Sequence, residues 1–173
     1  MKIAISNDHR GYKTKLKLIK YLTKKGHQVL DLGCMSETSV DYPIYAIDLG
    51  EKIVEGEANL GIVICGTGIG VSIACNKVAG IRCAKPANPK EARLSKLHND
   101  ANVLALSSDA PWFKTLDIID AFLKTEFSNE KRHQTRIDYI TDYELKTKKV
   151  KRTRKKQEEK EELLKVVKLI IEM

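Results

Sequence analysis

Hydrophobic positions along the chain follow two alternating rhythms. Short apolar, β-branched runs at residues 2–6, 29–32, 60–64, 81–84 and 102–106 read as strands. The run Leu60, Gly61, Ile62, Val63, Ile64 has no polar alternation, which suits a strand buried on both faces. Between the strands, residues 11–25, 44–55, 72–78, 90–97 and 111–124 carry apolar residues at helical spacing. The first helix is predicted to bury Leu16, Ile19 and Leu22 and to turn its lysines to solvent; the last has Leu116, Ile119 and Leu123 at core spacing. Gly26 and Gly56 mark helix ends and Pro89 a helix start. Strands alternating with helices of crossover length predict an α/β fold. Its core is a three-layer, Rossmann-like arrangement, a five-stranded parallel sheet with helices on both faces. Ligands of such sheets bind beyond the C-terminal ends of strands.

The third strand runs into Cys65 and then into glycines at every second position, Gly66, Gly68 and Gly70. Strand, glycine loop and helix together aim backbone N–H groups at one spot, a place for an anion. A dinucleotide loop would need G-x-G-x-x-G after a first strand, and here the spacing is G-x-G-x-G after the third. A cysteine-phosphatase loop would need an Arg at position 71, which is Val. Two readings stay open on the residues alone: an anion hole with a reactive Cys65 at its lip, and a tight turn around a buried, inert thiol.

The words around the loop go further. Cys65-Gly-Thr-Gly-Ile-Gly70 is followed by Ser72-Ile-Ala-Cys-Asn-Lys77, by Gly80-Ile-Arg82 and by His98-Asn-Asp-Ala-Asn-Val103. Asn7-Asp8-His9 and Asp41-Tyr42-Pro43 precede it, and Arg132-His133-Gln134-x-Arg136 comes near the end. In this order and spacing, over residues 1 to 143, the chain resembles the type B ribose-5-phosphate isomerases, whose wider family includes galactose-6-phosphate isomerase subunits. The resemblance implies an aldose–ketose isomerase that interconverts ribose 5-phosphate and ribulose 5-phosphate through an enediolate, in the pentose phosphate pathway. Alternatives are an isomerase of allose or galactose 6-phosphate and a non-catalytic sugar-phosphate binder.

Such a reaction needs a base for a C–H proton, a group that stabilises the enediolate, a phosphate grip and an acid/base that opens the sugar ring. By resemblance, Cys65 is the base, Thr67 and the amides of Gly66, Gly68 and Gly70 with Ile69 between them form the anion hole, and His98 opens the ring beside Asn99. Asp8 and His9 contact hydroxyls and phosphate, Tyr42 forms part of the wall, and Arg132 and Arg136 clamp the phosphate. On residue type alone, His98, Tyr42 and the arginine pair are equally at home as ordinary surface or half-buried side chains. The resemblance implies no metal or organic cofactor, a sugar-phosphate substrate, and a homodimer or dimer of dimers with shared sites.

One departure stands out. The resembled family follows its H-N-D-x-N-V strand with a Gly-small-Arg triplet whose Arg helps to bind phosphate; here the triplet is Ser107-Ser108-Asp109. The expectation is a turned loop, with Asp109 facing solvent and Arg132 and Arg136 holding the phosphate unaided. The loop after the fourth strand, Lys85-Pro-Ala-Asn-Pro89, also departs from the pattern of polar and small residues usual there.

Charge changes the picture only at the end of the chain. The net charge is +8, but residues 145–173 hold 11 Lys/Arg against 5 Asp/Glu, which leaves 20 against 18 for the rest. The body is nearly balanced, so the overall charge is no argument for nucleic-acid binding, and the basic tail has no aromatic residue to stack on bases. Residues 1–144 therefore read as the isomerase domain and 145–173 as a basic, amphipathic helical extension, apolar over 163–171. The four cysteines form no C-x-x-C pair, no basic-then-apolar leader opens the chain, and no apolar run approaches the roughly 20 residues of a membrane span. A cytoplasmic protein with reduced thiols is expected.

Overall fold

The structure, a computed structural model, describes residues 1–171. Strands β1 (Lys2–Asn7), β2 (Gln28–Asp31), β3 (Leu60–Cys65), β4 (Cys83–Ala84) and β5 (Val103–Ser107) form one sheet in the order β2-β1-β3-β5-β4. All pairs are parallel. Helices α1 (Tyr12–Lys24), α2 (Tyr42–Val54), α3 (Ile69–Cys75), α4 (Pro89–Asn99) and α5 (Trp112–Leu123) connect them, and α6 (Lys131–Ile171) follows. The chain divides into two compact units, Met1–Gln134 and Thr135–Met173, and the whole sheet lies in the first.

Alternation along the strands builds two cores. Ile3, Ile5, Ile62, Ile64, Leu104 and Leu106 face one side, with Leu18 and Leu22 of α1 and Ile118, Ile119 and Phe122 of α5. Ala4, Val63, Cys65, Val103 and Ala105 face the other, with Leu49 and Ile53 of α2 and Val71 and Cys75 of α3. Period-two side-chain direction thus puts successive strand residues into opposite layers, and both layers are apolar. This is the three-layer arrangement the patterning predicts.

The helix faces differ from expectation in detail. In α1 the buried residues are Lys15, Leu18 and Leu22, whereas Leu16 is exposed. Lys15 was expected outside with the other lysines. It is wholly buried because its Nζ reaches Asp31 Oδ1 at 3.0 Å and the Cys34 carbonyl at 2.8 Å. A buried ammonium is tolerable only when paired and hydrogen-bonded in this way. In α5 the buried face is Thr115, Ile118, Ile119 and Phe122, one residue away from the predicted Leu116 and Leu123. Helix α3 starts three residues earlier than predicted, directly from the glycine loop.

Candidate active site

The C-terminal edge of the sheet gathers the ends of β1, β3 and β5. Asn7 pairs with Ile64 and Cys65 with Ser107, so Asp8, the glycine loop and the 108–109 turn are neighbours. Asp8 is buried; its N–H donates to the Ile64 carbonyl, and its Oδ1 accepts the Gly11 N–H at 3.0 Å. His9 Nδ1 accepts the Val40 N–H at 3.2 Å, which ties the long 32–41 connection to the site. Tyr42 opens α2, and its ring lies against Gly70: a Cβ there would stand 2.8 Å from Cζ.

The thiols are not equivalent. Cys65 Sγ, itself buried, accepts the Gly68 N–H at 3.1 Å. Cys75 donates to the Ala46 carbonyl at 3.0 Å, and Cys34 donates to the Ser36 carbonyl at 3.3 Å. A hydrogen bond with Cys75, then burial, pushes the Cys83 thiol far up and keeps it protonated. Only at Cys65, among the described residues, does a backbone N–H point at sulfur with no carbonyl opposite it. The loop can place that N–H because Gly68 adopts φ +76°, the left-handed region that glycine enters without strain. Thr67 is exposed, and its Oγ1 accepts the Ile69 N–H at 3.2 Å.

His98 and Asn99 occupy the last turn of α4, three residues before β5 begins, and so stand at the opposite, N-terminal edge of the sheet. Arg82 fixes this helix end. Its Nε donates to the Asn99 carbonyl at 2.9 Å and its Nη2 to the Asp100 carbonyl at 2.8 Å. The His98 ring stacks on His133 of α6, with centroids 4.2 Å apart and planes 10° from parallel. The neighbouring Arg132 is exposed and pairs with Glu130 at 2.8 Å. Arg136 is exposed in the second unit. Among the described residues no hydrogen bond or ion pair joins His98 or Asn99 to Cys65 or Thr67. The expected site residues therefore form two groups within one chain.

Two further residues belong to the Cys65 group: Asp109, already conspicuous in the sequence, and Arg10, which sequence reasoning missed. Asp109 does not simply face solvent, as expected: both its oxygens accept from Arg10 Nη2, at 2.8 and 2.7 Å. Arg10 in turn lies on the glycine loop, so close that a Cβ on Gly66 would stand 2.5 Å from its Cζ. Partners 99 residues apart give no local signal. The only hint in the sequence was that an anion at 109 needs a cation somewhere.

Among the described residues no group of three or more His, Cys, Asp or Glu is gathered as a metal site would require, and no helix is long and apolar enough to cross a membrane. Comparison with known proteins agrees with the arrangement of the fold. The Ribose/Galactose Isomerase family profile matches residues 3–140. Ribose-5-phosphate isomerase B of Escherichia coli is 42% identical over 141 residues, covering 81% of this chain and 94% of that protein. The structure of Clostridium thermocellum ribose-5-phosphate isomerase B superposes with a TM-score of 0.83 at 47% identity, over 85% of this chain and 99% of that one. The Mycoplasma genitalium ribose-5-phosphate isomerase B structure, which holds bound ribulose 5-phosphate, gives a TM-score of 0.78 at 40% identity, over 83% and 95%. With a matched profile over most of its length and relatives covered almost end to end, the chain belongs to the ribose/galactose isomerase family.

Proposed function

We infer that this protein is an aldose–ketose isomerase that interconverts ribose 5-phosphate and ribulose 5-phosphate, and that residues 1–144 form its isomerase domain. The observation that carries the chemistry is the Cys65 thiol, buried at the sheet edge and accepting the Gly68 N–H. Cys65 takes the proton from C2 of the open-chain aldose. The electron pair forms the C1–C2 double bond of the enediolate while the C1 carbonyl oxygen becomes negative. The Thr67 hydroxyl and the amides of Gly66 to Gly70 stabilise that charge. Transfer of the C2 hydroxyl proton to O1 and return of the proton from Cys65 to C1 give the ketose, with no net oxidation and no second reactant. His98 opens the furanose beforehand by moving a proton from the anomeric hydroxyl to the ring oxygen, while Asn99 holds a neighbouring hydroxyl. Asp8, His9 and Tyr42 line the sugar, and Arg132 and Arg136 face its phosphate.

The placement of Cys65 and His98 supports a homodimer with shared sites. One chain separates them by the length of β5, four residue steps or about 13 Å. A second copy brings its own His98 edge to the first copy's Cys65. Exposed apolar residues suit such an interface: Ile44, Ile47 and Val54 share one face of α2, and Ile69 and Ile73 one face of α3. A compartment that keeps thiols reduced, the cytoplasm, suits a thiol base.

A non-catalytic binder loses its main ground, because the Asp109 charge is matched by Arg10. The deciding experiment is a coupled assay of the purified protein with ribose 5-phosphate beside allose and galactose 6-phosphates. Turnover of the pentose phosphate above the hexose phosphates is expected; turnover of none of them would sink the reading.

A further inference from the structure

We propose that Arg10 is a substrate-binding residue, a cation delivered from the β1 turn that takes the substrate phosphate, with Asp109 as the carboxylate that holds it in place. The proposal rests on the sugar-phosphate reading for its ligand. It goes beyond that reading by assigning a residue outside the matched motifs.

The geometry argues against a mere strut. Side chains of both partners are half exposed, 53% and 54%, and a pair so open to water contributes little to stability. Nη2 alone serves both carboxylate oxygens. Nη1 and Nε make no hydrogen bond with the described residues. They lie with Cζ over Gly66, where an added Cβ would be 2.5, 2.8 and 2.5 Å from Nη1, Nε and Cζ. Three atoms at nearly one distance mean that the guanidinium plane faces the loop, so its remaining N–H groups point sideways from it. Nη1 keeps two N–H donors and Nε one without an acceptor among the described residues, charge-assisted donors that suit a phosphate.

Placement agrees with orientation. Arg10 follows Asp8 and His9 in the same turn, and its guanidinium covers the residue after Cys65, one Cα step of about 3.8 Å away. The 108–109 turn is anchored to the same loop: Ser108 N–H donates to the Cys65 carbonyl at 2.9 Å, and Ser107 Oγ donates to the Gly66 carbonyl at 2.6 Å. Asp109 is thus fixed relative to the thiol, and Arg10 is fixed through Asp109. A phosphate that takes the Nη1 N–H groups leaves the Nη2–Asp109 contact intact.

The test uses the full-length protein, with inorganic phosphate as the probe and calorimetry as the readout, beside KM and kcat for ribose 5-phosphate. R10Q keeps length and packing but removes the charge. It should weaken phosphate binding and raise KM by about tenfold or more, the scale of a lost hydrogen bond to a charged group, with kcat changed far less. D109N should leave phosphate affinity within about threefold or tighten it, because it removes a negative charge and leaves the cation. R10K should fall between wild type and R10Q. Three results would overturn the assignment: phosphate affinity unchanged in R10Q, equal losses in R10Q and D109N, or a wild type that binds no phosphate. If wild type binds phosphate through Arg10 but turns over no sugar phosphate, the isomerase reading fails and this assignment stands. Turnover with an unaffected R10Q gives the reverse.

Discussion

Cys65 and His98 stand at opposite edges of the same parallel sheet, one at the end of β3 and the other in the helix turn that leads into β5. In the proposed mechanism Cys65 is the base and His98 the ring-opening group, and from opposite edges the two meet only if two copies share sites. Cys65→Ala and His98→Asn should each be inactive alone. Co-expressed in equal amounts, they should recover about a quarter of wild-type activity, since half of a two-fold dimer population is mixed and each mixed dimer has one intact site. A mixture with no more activity than either variant would show that each site is built within one chain.

Cys65 should be the one thiol that the rate depends on. Cys65→Ala is expected to lower kcat by at least about 100-fold, the lower end for a general base, with little change in the thermal midpoint. Cys34→Ala and Cys75→Ala lose buried contacts and hydrogen bonds, so they should lower stability while keeping kcat. Measured kcat beside thermal melts separates the two effects; near wild-type turnover in Cys65→Ala would remove the base assignment.

His133 is the surface against which His98 is packed. Replacing it with Phe keeps a ring in the stack, whereas Ala removes it. Aromatic pairs contribute about 0.5–1.5 kcal/mol beyond burial, so His133→Ala should lower kcat/KM more than His133→Phe and also cost stability. Equal kinetics for the two variants would mean that the imidazole, and not the stack, is what matters.

Lys15 and Asp31 form an asymmetric pair: the ammonium is wholly buried and the carboxylate is partly open. Removing the carboxylate strands a buried charge, whereas removing the ammonium leaves an anion that water can reach. Asp31→Ala should therefore destabilise by up to about 3 kcal/mol and Lys15→Met by clearly less. Denaturant titration of both variants checks the order.

Asp120 sets an acid limb of stability. Burial by itself would raise its carboxyl, but hydrogen bonds from Lys25, Tyr21 and Lys124 outweigh it and hold the group below the ordinary carboxylate range. The unfolded chain therefore binds the proton first. Stability from this cluster is complete above the unfolded pKa near 3.9 and is lost as pH falls through the lower folded value. Lys25, raised by its bond to Asp120, keeps its share below its unfolded pKa and loses it as pH rises through the higher folded one. The thermal midpoint of Asp120→Asn should fall less steeply than wild type below about pH 4; parallel curves would assign the acid limb to other groups.

The tail is predicted to be dispensable for catalysis. Residues 145–173 lie within the second compact unit and beyond every motif of the site. Truncation after Glu144 should keep kcat/KM within about threefold, as expected for a terminal segment outside the core. A folded but inactive truncation would place the tail in the site. The apolar stretch expected at its end, 163–171, continues α6, but its side chains after Leu163 fall outside the described residues.

Much of this protein is written in local pattern. Short β-branched apolar runs such as Leu60 to Ile64 suit strands buried on both faces, and helices of crossover length between them favour a parallel sheet. The motif residues after β1 and β3 then fall at one edge, so Asp8, Cys65 and the glycine loop were legible before any coordinates. Side-chain partners distant in sequence were not. Lys15 looks like any surface lysine until Asp31 and the Cys34 carbonyl surround it. Asp109 looks like a defect in a phosphate site until Arg10 arrives from the other side of the loop. The separation of Cys65 from His98 also lies beyond local pattern, because it depends on which end of the sheet each connection reaches. Periodicity reports what one segment buries; charge pairing and site assembly are decided by which segments the fold brings together.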